Sequence, residues 1–63
     1  MPDFTLTGSG SVYLLTPESL EAAQWCDEHL PEDGPMLGHS HAIEWRYVPA
    51  IREGIINDGL SIA

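Results

Sequence analysis

The chain has 63 residues and a mass of 6.9 kDa, with ten carboxylates against two arginines, no lysine and a formal net charge of −8. Its apolar content of 43% excludes a disordered acidic tail, and its length excludes an enzyme with separate substrate and cofactor lobes. With Arg46 and Arg52 as the only basic side chains besides histidine, the chain cannot bind nucleic acid by neutralising phosphates, and anionic membrane surfaces repel it.

Phe4-Thr5-Leu6-Thr7 alternates apolar and polar residues, the pattern of a half-buried strand, and Gly8-Ser9-Gly10 breaks it. Ser11-Val12-Tyr13-Leu14-Leu15 is rich in β-formers, and the short glycine-containing connection predicts a hairpin. Thr16-Pro17-Glu18-Ser19 reads as a helix start, with Thr16 as cap, Pro17 at the first helical position and Glu18 complementing the dipole. Pro31 stops this helix near Leu30. Leu20, Ala23, Cys26 and Leu30 form an apolar stripe, while Glu18, Glu21, Trp25 and Glu28 fall on another face.

Residues 31–41 read as a loop, within which Met36-Leu37 is a candidate short strand. Residues 42–47 read as a strand with Ile43, Trp45 and Tyr47 turned to the core and Glu44 and Arg46 turned away. Pro49 opens a second helix with Val48, Ile51 and Ile55 as its buried stripe, ended by Asp58-Gly59-Leu60. Ser61-Ile62-Ala63 is a candidate edge strand. The expectation is one α+β domain over residues 1–63, a small antiparallel sheet packed with two helices in the order ββαβα. Its stability is marginal, because a chain this short buries only about 60% of the surface it exposes when unfolded. No apolar run approaches the ~20 residues of a membrane span, the start lacks a secretory pattern, and the single Cys26 has no internal partner, so a reducing cytoplasm is the expected compartment.

Cys26, His29, His39 and His41 are zinc-ligand types, but their spacing matches no zinc motif, and Cys26 falls on the core stripe. Neighbouring Asp27 and Glu28 oppose a reactive Cys26 thiolate, and the chain has no phosphate loop or nucleophile elbow, so neither catalysis nor a cofactor is expected. The charge pattern is the remaining signal. The first 45 residues hold eight acids and neither Lys nor Arg. Such a surface repels itself at a cost in stability. Glu18, Glu21 and Glu28 line the exposed side of the first helix, and Glu32 and Asp33 extend the row past its end. Glu21 and Glu28 are ~10 Å apart along the axis, a spacing loosely like that of nucleic-acid phosphates. Trp25 either anchors a partner on this face or packs under the loop at residues 31–41, and the needs of a small core favour packing.

Gly10-Ser11-Val12-Tyr13-Leu14-Leu15, Trp25-x2-Glu28-His29-Leu30, Ile43-Glu44-Trp45-Arg46-Tyr47 and Asp58-Gly59-Leu60 together resemble a family of very short acidic proteins found in proteobacterial chromosomes, phages and mobile elements. The likeness covers most of the chain after residue 10 and rests on structural rather than catalytic positions. In size, charge and compactness the chain is also similar to anti-CRISPR inhibitors, some of which mimic DNA. That resemblance implies an inhibitor that binds a basic nucleic-acid-binding surface of a host protein, such as a CRISPR surveillance complex; the helical reading, not the resemblance, supplies the interacting row Glu18, Glu21, Glu28, Glu32 and Asp33, with Trp25 as a candidate anchor. The alternatives are an antitoxin-like or regulatory module binding through an apolar patch, and a small zinc domain. A homodimer through the second helix and the Trp45 strand would enlarge the core while keeping the acids apart.

Overall fold

The structure, a computed structural model, describes residues 1–31 and 33–63. Strands β1 (Phe4–Ser9) and β2 (Val12–Pro17) form a hairpin whose two-residue turn is Gly10-Ser11. Gly10 has φ 75°, the positive value that the first central position of a type II′ turn demands. Gly8 and Ser9 continue β1 instead of ending it, because Gly8 pairs with Tyr13. A Cβ on Gly8 would lie 2.9 Å from the Val12 carbonyl oxygen, and its φ is 122°, so only glycine carries the strand through this point.

Helix α1 (Leu20–His29) begins three residues later than the start expected at Pro17. Ser19 is the cap, and its Oγ accepts from the Ala22 N–H at 3.1 Å. Thr16 and Pro17 are claimed by β2, where they pair with Thr5 and Phe4. The buried side of α1 is also rotated from the expected stripe: Ala22, Trp25 and Cys26 are buried, whereas Leu20 is 71% exposed. Burying the indole removes more apolar surface from water than burying Leu20 would, and the Trp25 ring meets Phe4 edge-on at 5.7 Å.

The candidate strand at residues 36–37 forms as β3 (Met36–Leu37), and β4 (Ser40–Glu44) follows it. The sheet order is β1-β2-β4-β3, with every neighbouring pair antiparallel. The fold is α+β, as expected, but the order is ββαββα. The strand expected to reach Tyr47 stops at Glu44, which is the last residue paired with β2. The Trp45 N–H donates to the Ser11 carbonyl in the hairpin turn, and a 3-10 turn over Trp45–Tyr47 then leads into α2 (Val48–Asn57). Trp45 and Tyr47 therefore stand 53% and 60% exposed and are not core residues.

Within α2, Ile55 is fully buried and Val48 and Ile51 pack at the edge of the core, the stripe the sequence predicts. Its end is a Schellman motif, in which the Gly59 N–H donates to Ile56 O and the Leu60 N–H to Ile55 O, with Gly59 at φ 82°. Beyond it, Ser61–Ala63 lies parallel to β1, with a bridge from Ile62 to Phe4, and covers that edge of the sheet.

Register places Phe4, Leu6, Leu15 and Ile43 on the sheet face that meets Trp25, Cys26 and Ile55 of the helices. Full burial of Phe4, Leu15 and Ile55 stabilises the fold by about 1.5–3 kcal/mol each. The other face carries Thr5, Thr7, Thr16 and Ser40, with Thr16 and Ser40 hydroxyls bonded across the strands at 2.6 Å. Asp3 ties three segments together. Its Oδ1 accepts from Ser19 Oγ at 2.7 Å, and its Oδ2 accepts from the Ser61 N–H at 3.0 Å. No helix among the described residues is long and apolar enough to cross a membrane.

Candidate functional site

Helix α1 sets the geometry of the acidic face. Glu21 and Glu28 are seven residues apart, two helical turns, so their side chains leave the same side of the helix. Both are exposed, as are Gln24 between them and Asp27 beside Glu28. Glu18, just before the cap, is exposed and accepts from the Thr5 hydroxyl at 3.0 Å. Asp33 is exposed after the helix, and Glu32 lies outside the described residues. Asp27 was not among the residues expected in the row, because it lies one step around the helix from Glu28, next to Cys26.

Trp25 does not belong to this face. Only 8% of it is exposed, and its indole N–H donates to Asp58 Oδ2 at 2.7 Å. The His29 ring lies against it at 4.4 Å, with His29 Nε2 3.4 Å from the same Asp58 oxygen. A partner anchor on the acidic surface is thereby replaced by a link between the two helices.

The described residues hold two charged-group contacts, the Arg46–Glu44 ion pair and the approach of His29 to Asp58. Neither involves Glu18, Glu21, Asp27, Glu28 or Asp33. Both arginines belong to the segment after β4. The α1 face thus presents carboxylates without cationic partners among the described residues.

The zinc-type residues do not converge. Cys26 is 3% exposed, and burial, with the Asp27 charge second, pushes its thiol up to about 11. His29 turns to Trp25 and Asp58, while His39 sits exposed at the turn between β3 and β4. Among the described residues no three His, Cys, Asp or Glu side chains come together to hold a metal ion.

A second feature was not anticipated from the sequence. A groove of about 610 Å³ opens between the end of α1, β4 and α2. Trp25, Ile43, Ile51 and Gly54 form its apolar body, with His29, His41, Glu44 and Tyr47 among its lining. A Cβ on Gly54 would lie 3.4 Å from Trp25 Cζ2, so glycine here lets the indole approach α2. Tyr47 of the 3-10 turn, which follows the end of the β2 pairing at Glu44, belongs to the lining.

No protein family, curated protein or solved structure matches the chain.

Proposed function

We propose that the protein is a non-enzymatic acidic binding module. Its α1 face occupies a positively charged, nucleic-acid-binding surface of another protein and keeps nucleic acid away from it. The observation that carries this reading is the set of exposed carboxylates Glu18, Glu21, Asp27, Glu28 and Asp33, none of which is neutralised by a described cation. A solubilising surface ordinarily mixes both signs. Here an already small domain carries a net charge of −8. Self-repulsion works against the compact state, so a surface kept at that cost is best explained by a cationic partner. Long-range attraction then accelerates encounter and makes it sensitive to salt.

An inhibitory role is proposed from the likeness in size, charge and compactness to anti-CRISPR inhibitors, and a CRISPR surveillance complex is one target to assay. The test is capture of partners from a bacterial host lysate, eluted along a salt gradient and repeated with competing double-stranded DNA. Release of a DNA-binding protein by both salt and DNA is the expected result. A partner that resists both would defeat the reading.

The groove favours a second reading, an interaction module whose affinity rests on apolar contact while charge only steers. Such a contact persists at salt concentrations that screen exposed charges beyond a Debye length of about 8 Å.

A further inference from the structure

We infer that Ser61–Ala63 is a strap that opens as a unit, and that Asp3 latches it to the start of the acidic helix. Closed, the strap covers the outer edge of β1 and steadies the first turn of α1. Open, it uncovers that edge and loosens that turn. The inference stands apart from the basic-partner reading.

The strap is separable from the helix before it. The Schellman motif holds the chain as far as Leu60, through the Gly59 and Leu60 N–H groups that donate to Ile56 O and Ile55 O. The three residues beyond can therefore leave without unwinding α2. Their hold on β1 is short. The Phe4 N–H donates to Ser61 O at 3.0 Å, the Leu6 N–H to Ala63 O at 2.9 Å, and the Ala63 N–H to Phe4 O at 3.0 Å. Ser61 and Ala63 are exposed, and within the strap only Ile62 packs against the core. Few buried apolar contacts and exposed backbone bonds mark a segment that opens at a lower free energy than the whole fold.

Asp3 supplies the latch. Its backbone N–H donates to Ser61 Oγ at 2.9 Å, and its Oδ2 accepts from the Ser61 N–H at 3.0 Å and from Ser61 Oγ at 3.2 Å. Its Oδ1 accepts at 2.7 Å from Ser19 Oγ, the same oxygen that takes the Ala22 N–H and caps α1. Hydrogen bonds to an ionised carboxylate are stronger than those between neutral groups. Strap and helix cap thus share one carboxylate. When Ser61 leaves, Asp3 loses the donors that fix its position, and Ser19 loses a fixed acceptor. The two edges of the sheet also differ in their need for cover. The β3 edge is two residues long and follows Pro35, which has no N–H to offer. The β1 edge is six residues long, and without the strap it presents the unpaired Phe4 and Leu6 amides.

The test is native-state hydrogen exchange of the full chain, read by NMR at individual amides. Phe4 and Leu6 are expected to share one protection level, about tenfold or more below that of Ile43 in the interior strand β4, with little dependence on denaturant. Ala22 should share that level, since its N–H is held by the latched Ser19. Ser61→Ala keeps the backbone bonds and removes the hydroxyl. It should lower protection at Phe4, Leu6 and Ala22 by one common factor of about threefold or more. Asp3→Asn should lower all three further. Should Asp3→Asn fail to fold, Ser61→Ala, at an exposed position, decides alone. Protection at Phe4 and Leu6 equal to that at Ile43 would overturn the strap, because only global unfolding would then free those amides. A response of Phe4 and Leu6 to Ser61→Ala with Ala22 unchanged, or Ala22 as protected as Ile43, would overturn the latch to α1.

Discussion

The indole N–H of Trp25 donates to the carboxylate of Asp58 at 2.7 Å, joining the middle of α1 to the residue that caps α2. Asp58 also approaches His29, so one carboxylate fixes two aromatic rings that line the groove. Asp58→Ala leaves a largely buried N–H without its partner and is expected to cost about 1–2 kcal/mol in urea denaturation. Asp58→Asn keeps an acceptor and should cost roughly half as much. Both should alter Trp25 fluorescence, and equal stability of the alanine variant and the parent would show that the bond contributes nothing.

Asp3 predicts how the fold responds to acid. Hydrogen bonds from Ser19, and then from the Ser61 backbone, hold its carboxyl below the ordinary value of 3.8. A carboxylate depressed in the folded state stabilises that state fully above its unfolded pKa. This contribution fades as pH falls below 3.8 and through the lower folded value. Asp3→Asn should therefore flatten the stability profile in that acidic window and lower stability at neutral pH. An NMR titration placing Asp3 at or above 3.8 would contradict the network.

Two glycines should differ in what replacement costs. Gly59→Ala meets an open environment and bears only the left-handed penalty, about 1 kcal/mol. Gly8→Ala adds a backbone approach of 2.9 Å at Val12 O and should cost distinctly more. Thermal denaturation of the two variants orders them directly.

Cys26 should behave as a buried hydrophobe. With its thiol pushed up to about 11 and only 3% of the residue exposed, it should react slowly with a disulfide reagent at neutral pH. Adding denaturant should raise the rate as the chain opens. Rapid labelling of the folded protein would contradict its placement beside Trp25 in the core.

What could be read in advance is local. The hairpin around Gly10, the stop at Pro31 and the Asp58-Gly59-Leu60 ending of α2 each carry their signal within a few residues. What could not be read depends on distant partners. Thr16 and Pro17 have the residue types of a helix start, but Thr5 and Phe4 hold them in the sheet. Periodicity alone leaves the rotation of α1 undecided, and Phe4 on β1 draws Trp25 inward. Trp45 and Tyr47 alternate correctly for a strand, yet β2 offers no pairing beyond Val12. The groove draws its lining from α1, β4 and α2 together and has no signature of its own. The acidic face was legible because exposure of Glu21 and Glu28 needs only a helix and the absence of a cation, whereas the spacing that reads Trp25 onto that face says nothing of Asp58.

The α1 carboxylates are proposed to engage a basic, nucleic-acid-binding partner. The most direct test is charge reversal at Glu21 and Glu28 together, with lysine at both positions, in the lysate capture experiment. Circular dichroism would confirm that the variant keeps its helices and sheet. The folded variant is expected to lose the salt- and DNA-releasable partner that the parent retains. Undiminished capture of that partner by the folded variant would contradict the claim and leave the acidic face as a solubilising surface.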